Sequence, residues 1–241
     1  VPNKVLVPKL RFPELEEEWK VTTLGECCTS LEYGMNSASI KFDGKNKYIR
    51  ITDIDESSSR YKSDFPVSPE GLVSDKYLVK KNDILFARTG ASTGKTYLYD
   101  RTDGKLYFAG FLIRARVKSC YNVGFIFAQT QTEGYNKWVK LMSMRSGQPG
   151  INSQEYSSFA FNIPLKPEQD KITSFLSKID TRIHTQSKII DKLKTLIQIL
   201  RKKLLSQDLC FKDNNGNSYP NWETKKLRQL GAFFSGGTPL T

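Results

Sequence analysis

The chain has 241 residues, of which 38% are hydrophobic, so it is long enough for one or two domains with a proper core. Its formal net charge of +12 favours an anionic partner, with nucleic acid ahead of a membrane surface. No apolar run reaches the ~18–20 residues of a membrane span and no leader pattern is visible, which together predict a cytoplasmic protein.

Residues 1–18 form a polar arm with prolines, and residues 19–166 show the short, mixed signals of one α+β globular domain. Strand patterns cover 48–54, 77–79, 84–87, 96–99, 106–109, 111–117 and 159–163. The polar segment 100–104 between two of these strands predicts a β-hairpin loop. Apolar spacing over 123–144 predicts two short helices that break near Gly134.

A long helix is predicted over 167–209, because Pro167 suits a first turn and Glu168 and Asp170 favour a helix N-terminus. Its apolar residues alternate in steps of four and three for more than four heptads, which predicts a coiled-coil interface. We call this interface the seam: Ile172, Leu176, Ile179, Ile183, Gln186, Ile190, Leu193, Ile197, Leu200 and Leu204. Gln186 is the single polar seam residue, a feature that fixes register or orientation at a cost in stability. A helix packed on its own domain is the alternative, but the seam is long and narrow for that.

After Leu209 the chain starts again, with a polar linker followed by a second copy of the beginning of the domain. The matching pairs, all 203 residues apart, are Trp19 with Trp222, Leu24 with Leu227, and Gly34 with Gly237. A period this long indicates a domain duplication. Residues 210–241 are therefore interpreted as a linker and the start of a second, truncated domain. Because so short a copy cannot bury a core, we expect the chain to need a partner, first of all a second copy of itself.

A glycine-rich segment, loop A (residues 88–96), follows the strand pattern at 84–87 and looks like a phosphate-binding loop. That loop needs four residues between its glycines and a helix after it, whereas Gly90 and Gly94 enclose three residues and a strand pattern follows. We interpret loop A as a glycine-hinged turn with Arg88 and Lys95 at its base, suited to close approach of a DNA backbone. A P-loop-like NTPase or a nuclease that uses Gly90–Thr96 is the alternative function.

A second segment rich in glycine, proline and serine is loop B (residues 145–152). Arginine reads guanine, and glutamine or asparagine reads adenine, through paired hydrogen bonds in the major groove. Loop B also fits a turn that caps a helix beginning near Ser153, and both roles can hold at once. The residues expected to contact DNA are Arg88, Thr89, Gly90, Ser92, Lys95, Arg145, Ser146, Gln148 and Asn152.

Catalytic motifs are incomplete in this sequence. Adenine methylation needs an Asn/Asp-Pro-Pro-aromatic motif, which does not occur, and Glu18-Trp19-Lys20 and Glu223-Thr224-Lys225 resemble only the tail of a nuclease motif. With His184 as the only histidine, no serine or cysteine nucleophile can be completed. The four cysteines form no Cys-x-x-Cys pair, so we expect no metal site and reduced thiols.

Several ordered motifs together resemble the specificity subunits of type I restriction-modification systems. The motifs are residues 82–90 with Gly94-Lys95, Gly147–Asn152, Ile163-Pro164-Leu165, Glu168-Gln169 and Ile172 at the start of the long helix, then Trp222, Leu227 and Gly236-Gly237-Thr238-Pro239. The resemblance covers nearly the whole chain. The ordered set is specific, although no single motif is.

The resemblance implies a non-catalytic subunit whose target-recognition domain reads one half of a bipartite double-stranded DNA site. Methyltransferase subunits would bring S-adenosylmethionine, and restriction subunits would use ATP and Mg²⁺, so no cofactor is expected in this chain. The implied partners are DNA, both kinds of subunit and a second copy through the long helix, with no membrane. This sequence departs from the family in having only one complete recognition domain.

The length of the helix fits the role of a spacer. The span from Ile172 to Leu204 corresponds to about 50 Å of helix, which exceeds one DNA turn of about 34 Å. Two domains on such a helix pair would read half-sites about one turn apart. Two copies of one chain would read a symmetric site.

Overall fold

A computed structural model describes residues 8, 11–144, 149–234 and 236. The chain divides into two compact units, Val1–Ile179 and Asp180–Thr241, each described by itself. The strands are β1 (Lys20–Thr23), β2 (Cys28–Tyr33), β3 (Ser39–Lys41), β4 (Lys47–Ile49), β5 (Val67–Pro69), β6 (Asp83–Ala87), β7 (Thr96–Leu98), β8 (Leu106–Phe108), β9 (Leu112–Val117) and β10 (Ala160–Ile163). The helices are α1 (Leu24–Cys27), α2 (Val123–Gln129), α3 (Glu133–Ser143), α4 (Ser153–Ser157) and α5 (Lys166–Leu205). This order of elements confirms the predicted α+β class, with a long helix after a globular domain.

The central sheet of the first unit has four antiparallel strands in the order β2-β9-β6-β7. Strand β6 is buried on both faces, because Ile84 and Phe86 belong to one apolar cluster while Leu85 and Ala87 belong to another. Side chains of α2, α3 and α4 cover the first face, and those of β4 and β8 cover the second. Burial on both faces explains why the sequence of β6 is a continuous apolar run.

The predicted hairpin over 96–109 is wrong. Strand β7 pairs antiparallel with β6, whereas β8 pairs in parallel with β4, so that Tyr107 lies opposite Tyr48. The connection contains a 3-10 turn at Arg101–Asp103, and the Tyr97 hydroxyl donates to Asp103 Oδ2 at 2.6 Å. The alternation of the sequence indicated the two strands, but it carries no information about a pairing partner 59 residues away in the chain.

Other differences are local. The pattern at 48–54 yields only the short strand β4, because Ile51–Asp53 forms a 3-10 turn, and 77–79 contributes a single bridge from Leu78. The two short helices are confirmed as α2 and α3, but the break lies at 130–132. Gly134 belongs to the first turn of α3, which is capped by the Thr132 hydroxyl.

Helix α5 begins at Lys166 and ends at Leu205, four residues before the end of the range 167–209 expected from the sequence. It stops there because Gln207 adopts a left-handed backbone with φ of 64°. Its first turns are fixed to the rest of the first unit. Glu168 is 1% exposed and accepts from Arg11 Nε at 2.8 Å, and Lys171 forms an ion pair with Glu14. Residues 11–18 of the expected polar arm therefore hold the start of the helix.

Candidate nucleic-acid interface

Loop A is a closed turn that follows β6. The backbone N–H of Gly94 donates to Ala87 O at 3.0 Å, and that of Ala87 donates to Lys95 O at 2.8 Å. Gly94 has a φ of +91°, and a Cβ there would lie 2.5 Å from Val139 Cγ1, so only glycine fits. The turn leads into strand β7 instead of the helix that a phosphate-binding loop requires.

Loop A and the described part of loop B (149–152) are joined by backbone hydrogen bonds. The Gly90 N–H donates to Pro149 O at 3.0 Å, and the Ile151 N–H donates to Arg88 O at 2.9 Å. Thr89 and Gly150 form an antiparallel bridge between them. The two loops named from the sequence as candidate DNA contacts are thus brought together. Arg145, Ser146 and Gln148 lie outside the described residues.

Asn152 caps helix α4, as the alternative interpretation of loop B predicted. Its Oδ1 accepts from the Glu155 N–H at 2.9 Å, and Glu155 Oε2 accepts from the Asn152 N–H at 2.8 Å. This reciprocal pair is a capping box. The carbonyl oxygen of the Asn152 side chain is therefore engaged within the protein. The contact of Asn152 with DNA stays a prediction, and it would use the amide nitrogen of the side chain.

A pocket of 370 Å³ opens where the two loops meet, and we call it the loop pocket. Its lining residues are Arg88, Thr89, Met142, Gly150, Ile151, Asn152 and Glu155. The Arg88 guanidinium carbon lies 4.8 Å from the centre of the Tyr33 ring, and the Tyr33 hydroxyl accepts from the Ser153 N–H at 3.2 Å. Stacking on an aromatic ring holds the guanidinium in a defined orientation.

Gly90, Ser92 and Lys95, the other residues of loop A expected to contact DNA, differ in exposure and in their partners. Gly90 is exposed with a φ of +67°, and a Cβ there would have no neighbour within 4 Å, but its N–H donates to Pro149 O and its carbonyl accepts from the Thr93 N–H. Ser92 is half-buried. Lys95 Nζ lies 3.2 Å from Glu56 Oε2, which offsets part of its charge. The ammonium group of Lys95 is thus paired within the protein, and its contact with a phosphate stays a prediction.

Two arginine side chains of β9, Arg114 and Arg116, form ion pairs with carboxylates of the neighbouring strands β2 and β6. Arg116 Nε donates to Asp83 Oδ1 at 2.8 Å, and this bond raises the pKa of Arg116. Arg114 is 3% exposed and forms an ion pair with Glu32. Because Asp83 opens β6, the Arg116 pair links β9 to the strand that leads into loop A, whereas the Arg114 pair links β9 to β2. Both guanidinium groups are therefore engaged by carboxylates within the protein.

Sequence reasoning missed Tyr33 and Glu155. Glu155 follows Asn152 by three residues, which is the spacing of a capping box and a signal that was available. Tyr33 reaches Arg88 from β2, more than 50 positions away in the chain, and no local pattern indicates such a contact.

The seam of α5 is open along most of its length. Ile172 packs against the core of the first unit, but exposure ranges from 37% at Leu176 to 59% at Ile183 and is 50% at Ile190. Gln186 is also exposed, and Leu204 is half-buried. These exposures are those expected of a seam that is not buried within its own unit, and its pairing with a partner helix stays a prediction.

Within the described residues no group of three or more His, Cys, Asp and Glu side chains is placed to hold a metal ion. No helix among the same residues combines the length and apolarity needed to span a membrane.

Comparison with known proteins places this chain in a family. Residues 16–195 match the type I restriction modification DNA specificity domain, and the chain belongs to that family. It is similar to the type I restriction enzyme MjaVIII specificity subunit of Methanocaldococcus jannaschii, with 23% identity over 227 residues, covering 92% of this chain and 50% of the relative.

Two solved structures share the fold. One is the HsdS subunit from Thermoanaerobacter tengcongensis, with 14% identity and a TM-score of 0.54, covering 82% of this chain and 51% of that one. The other is the type I restriction-modification S subunit from M. genitalium, with 19% identity and a TM-score of 0.59, covering 83% of this chain and 49% of that one. The chain spans about half the length of the relatives it matches.

Proposed function

We propose that the domain formed by residues 19–166 binds double-stranded DNA and recognises one half of a bipartite sequence. The observation that carries this proposal is the joining of loops A and B by the Thr89–Gly150 bridge at a pocket that Arg88 and Glu155 line, in a chain of the DNA specificity family. The net charge of +12 supplies the long-range attraction to phosphate that such binding needs.

The chain itself is proposed to be non-catalytic. In this proposal methyltransferase subunits bring S-adenosylmethionine, and restriction subunits use ATP and Mg²⁺ on the same DNA in the cytoplasm. The strand that follows loop A gives no support to an NTPase, so a thermal-shift titration with ATP and Mg²⁺ is expected to leave the melting temperature of the isolated chain unchanged.

Helix α5 is proposed to pair with the same helix of a second copy and to set the distance between half-sites. Its 40 residues correspond to about 60 Å of helix, longer than one DNA turn of about 34 Å. The open seam supports this role, because a row of exposed isoleucine and leucine side chains gains most from burial against a partner helix.

Selection from a pool of random duplexes tests DNA recognition. The chain is expected to enrich a defined motif, and a symmetric one if it binds as a homodimer. Enrichment of no motif, with binding that depends on salt alone, contradicts the proposal. A selection repeated with a methyltransferase subunit present shows whether that partner strengthens the same motif.

The mass in solution tests pairing through the seam, and α5 offers a matched control. Ile190 lies in the seam and Ile199 lies outside it, yet their exposures are nearly equal at 50% and 47%. Ile190→Lys is expected to shift a dimer to the monomer mass, while Ile199→Lys leaves it a dimer. Dissociation by both variants, or by neither, contradicts the seam as the interface.

A further inference from the structure

The loop pocket holds groups of opposite charge, and this combination limits the ligand it can accept. Arg88 and Glu155 both line it, together with the smaller polar residues Thr89 and Asn152. A phosphate group is bound by cations and N–H donors, and a carboxylate in the same pocket repels it. The edge of a base pair in the major groove, by contrast, presents acceptors and an amino donor side by side.

We propose that the loop pocket reads one G·C base pair, with Arg88 donating to guanine O6 and N7 and Glu155 accepting from the cytosine amino group. This inference rests on the proposed function and assigns a base-reading role to Arg88 in place of a phosphate contact. Guanine is the base that offers two adjacent acceptors to the fork of a guanidinium, and a glutamate accepts from cytosine N4. Adenine offers one acceptor and one donor, so it leaves half of the fork unpaired.

Both side chains are held in place before any ligand enters. Arg88 stacks on Tyr33, and its backbone is fixed on both sides, with its N–H donating to Phe111 O at 3.0 Å and its carbonyl accepting from Ile151. The Nε–H of Arg88 is itself buried and has no acceptor in the described part of the chain, so pairing with a base falls to the two terminal NH2 groups of the guanidinium. Glu155 is oriented by the Asn152 N–H. Such preorganisation lowers the entropic cost of binding.

Two conservative variants separate base reading from structural support. Arg88→Lys keeps the charge and loses the bidentate fork. Glu155→Gln removes the carboxylate and keeps the capping box, since glutamine serves equally at that position. Lys95→Gln is the matched control, because it removes a cation of loop A that pairs with Glu56 and does not line the pocket.

Duplex selection with these variants gives the first readout. Arg88→Lys and Glu155→Gln are each expected to lose discrimination at the same G·C position of the wild-type motif, by at least about fivefold, with the other positions unchanged. Lys95→Gln is expected to lower affinity evenly without changing the motif. An even loss with the two pocket variants, an unchanged motif, or effects at two different positions overturns the inference.

A chemically altered duplex gives the second readout. Replacing the guanine at that position with 7-deazaguanine removes the N7 acceptor, so wild-type affinity is expected to fall at least about fivefold while that of Arg88→Lys changes little. Equal losses for both proteins overturn the inference. A wild-type chain that enriches no motif at all overturns the proposed function as well, whereas an intact motif in both pocket variants overturns this inference alone.

Discussion

The chain builds the same turn twice, at residues 23–26 and 226–229, and only the first copy is buried. In the first, the Thr23 N–H donates to Glu26 Oε2 at 2.9 Å, and in the second the Lys226 N–H donates to Gln229 Oε1 at 2.9 Å. A leucine follows the capping residue in each copy. Leu24 in the first copy is 0% exposed, and Leu227 in the second is 70% exposed.

The comparison separates what short-range sequence encodes from what long-range packing supplies. Neighbouring residues determine the capped turn, so it forms in both places. Burial needs distant elements, and in the first copy Leu24 N–H donates to Phe159 O at 2.9 Å beside helix α4. In the second copy Trp222, Leu227, Leu230, Phe233 and Phe234 are each more than 60% exposed.

The largest expected effect comes from the paired leucines. Leu24→Ala is expected to lower the free energy of unfolding by about 2–5 kcal/mol, because it leaves a cavity in the core. The equivalent Leu227→Ala is expected to change it by less than about 0.5 kcal/mol. Urea unfolding of both variants measures the difference, and similar losses would mean that the second copy is also packed.

A smaller effect is expected at the next position of the turn. A Cβ on Gly25 would lie 2.0 Å from Ser157 Oγ, whereas the second copy carries Arg228 there. Gly25→Ala is expected to cost about 1–3 kcal/mol through overpacking. Thermal denaturation of the double variant with Ser157→Ala should recover part of this loss, and a failure to recover any would place the strain elsewhere. Because Arg228 stands where the first copy has Gly25, the second turn cannot approach a neighbouring side chain as closely as Gly25 approaches Ser157.

The smallest expected effect concerns the caps. Thr23→Ala removes the hydroxyl that accepts from the Glu26 N–H and is expected to lower the free energy of unfolding by about 1 kcal/mol. Gln229→Ala, in a turn that contacts no core, is expected to change it by less than about 0.5 kcal/mol. Chemical denaturation of the two single variants checks this order, and a larger loss for Gln229→Ala would reverse the comparison.

Much of the fold was predictable where the signal is local. The apolar run of β6, the two short helices after Asn122, the strand after loop A and the cap at Asn152 all follow from neighbouring residues. The parallel pairing of β4 with β8 did not follow, because strand patterns do not name their partners.

The candidate site divides in the same way. The sequence indicated loops A and B as separate candidates, and Arg88 and Asn152 indeed line one pocket. It did not indicate that Tyr33 would orient Arg88, since that contact exists only after β2 and β6 are placed in one sheet. The net charge also overstates how many cationic side chains are available to bind phosphate. Arg114, Arg116 and Lys95 each form an ion pair within the protein.

Sequence-specific binding of DNA is the central claim, and one equilibrium measurement tests it most directly. The dissociation constant of the chain is measured for the selected duplex and for a scrambled duplex of equal length and composition, at one fixed salt concentration and without nucleotide. The account predicts binding to the selected duplex that is tighter by at least about 10³-fold. A ratio near one, with the same salt dependence for both duplexes, would contradict it.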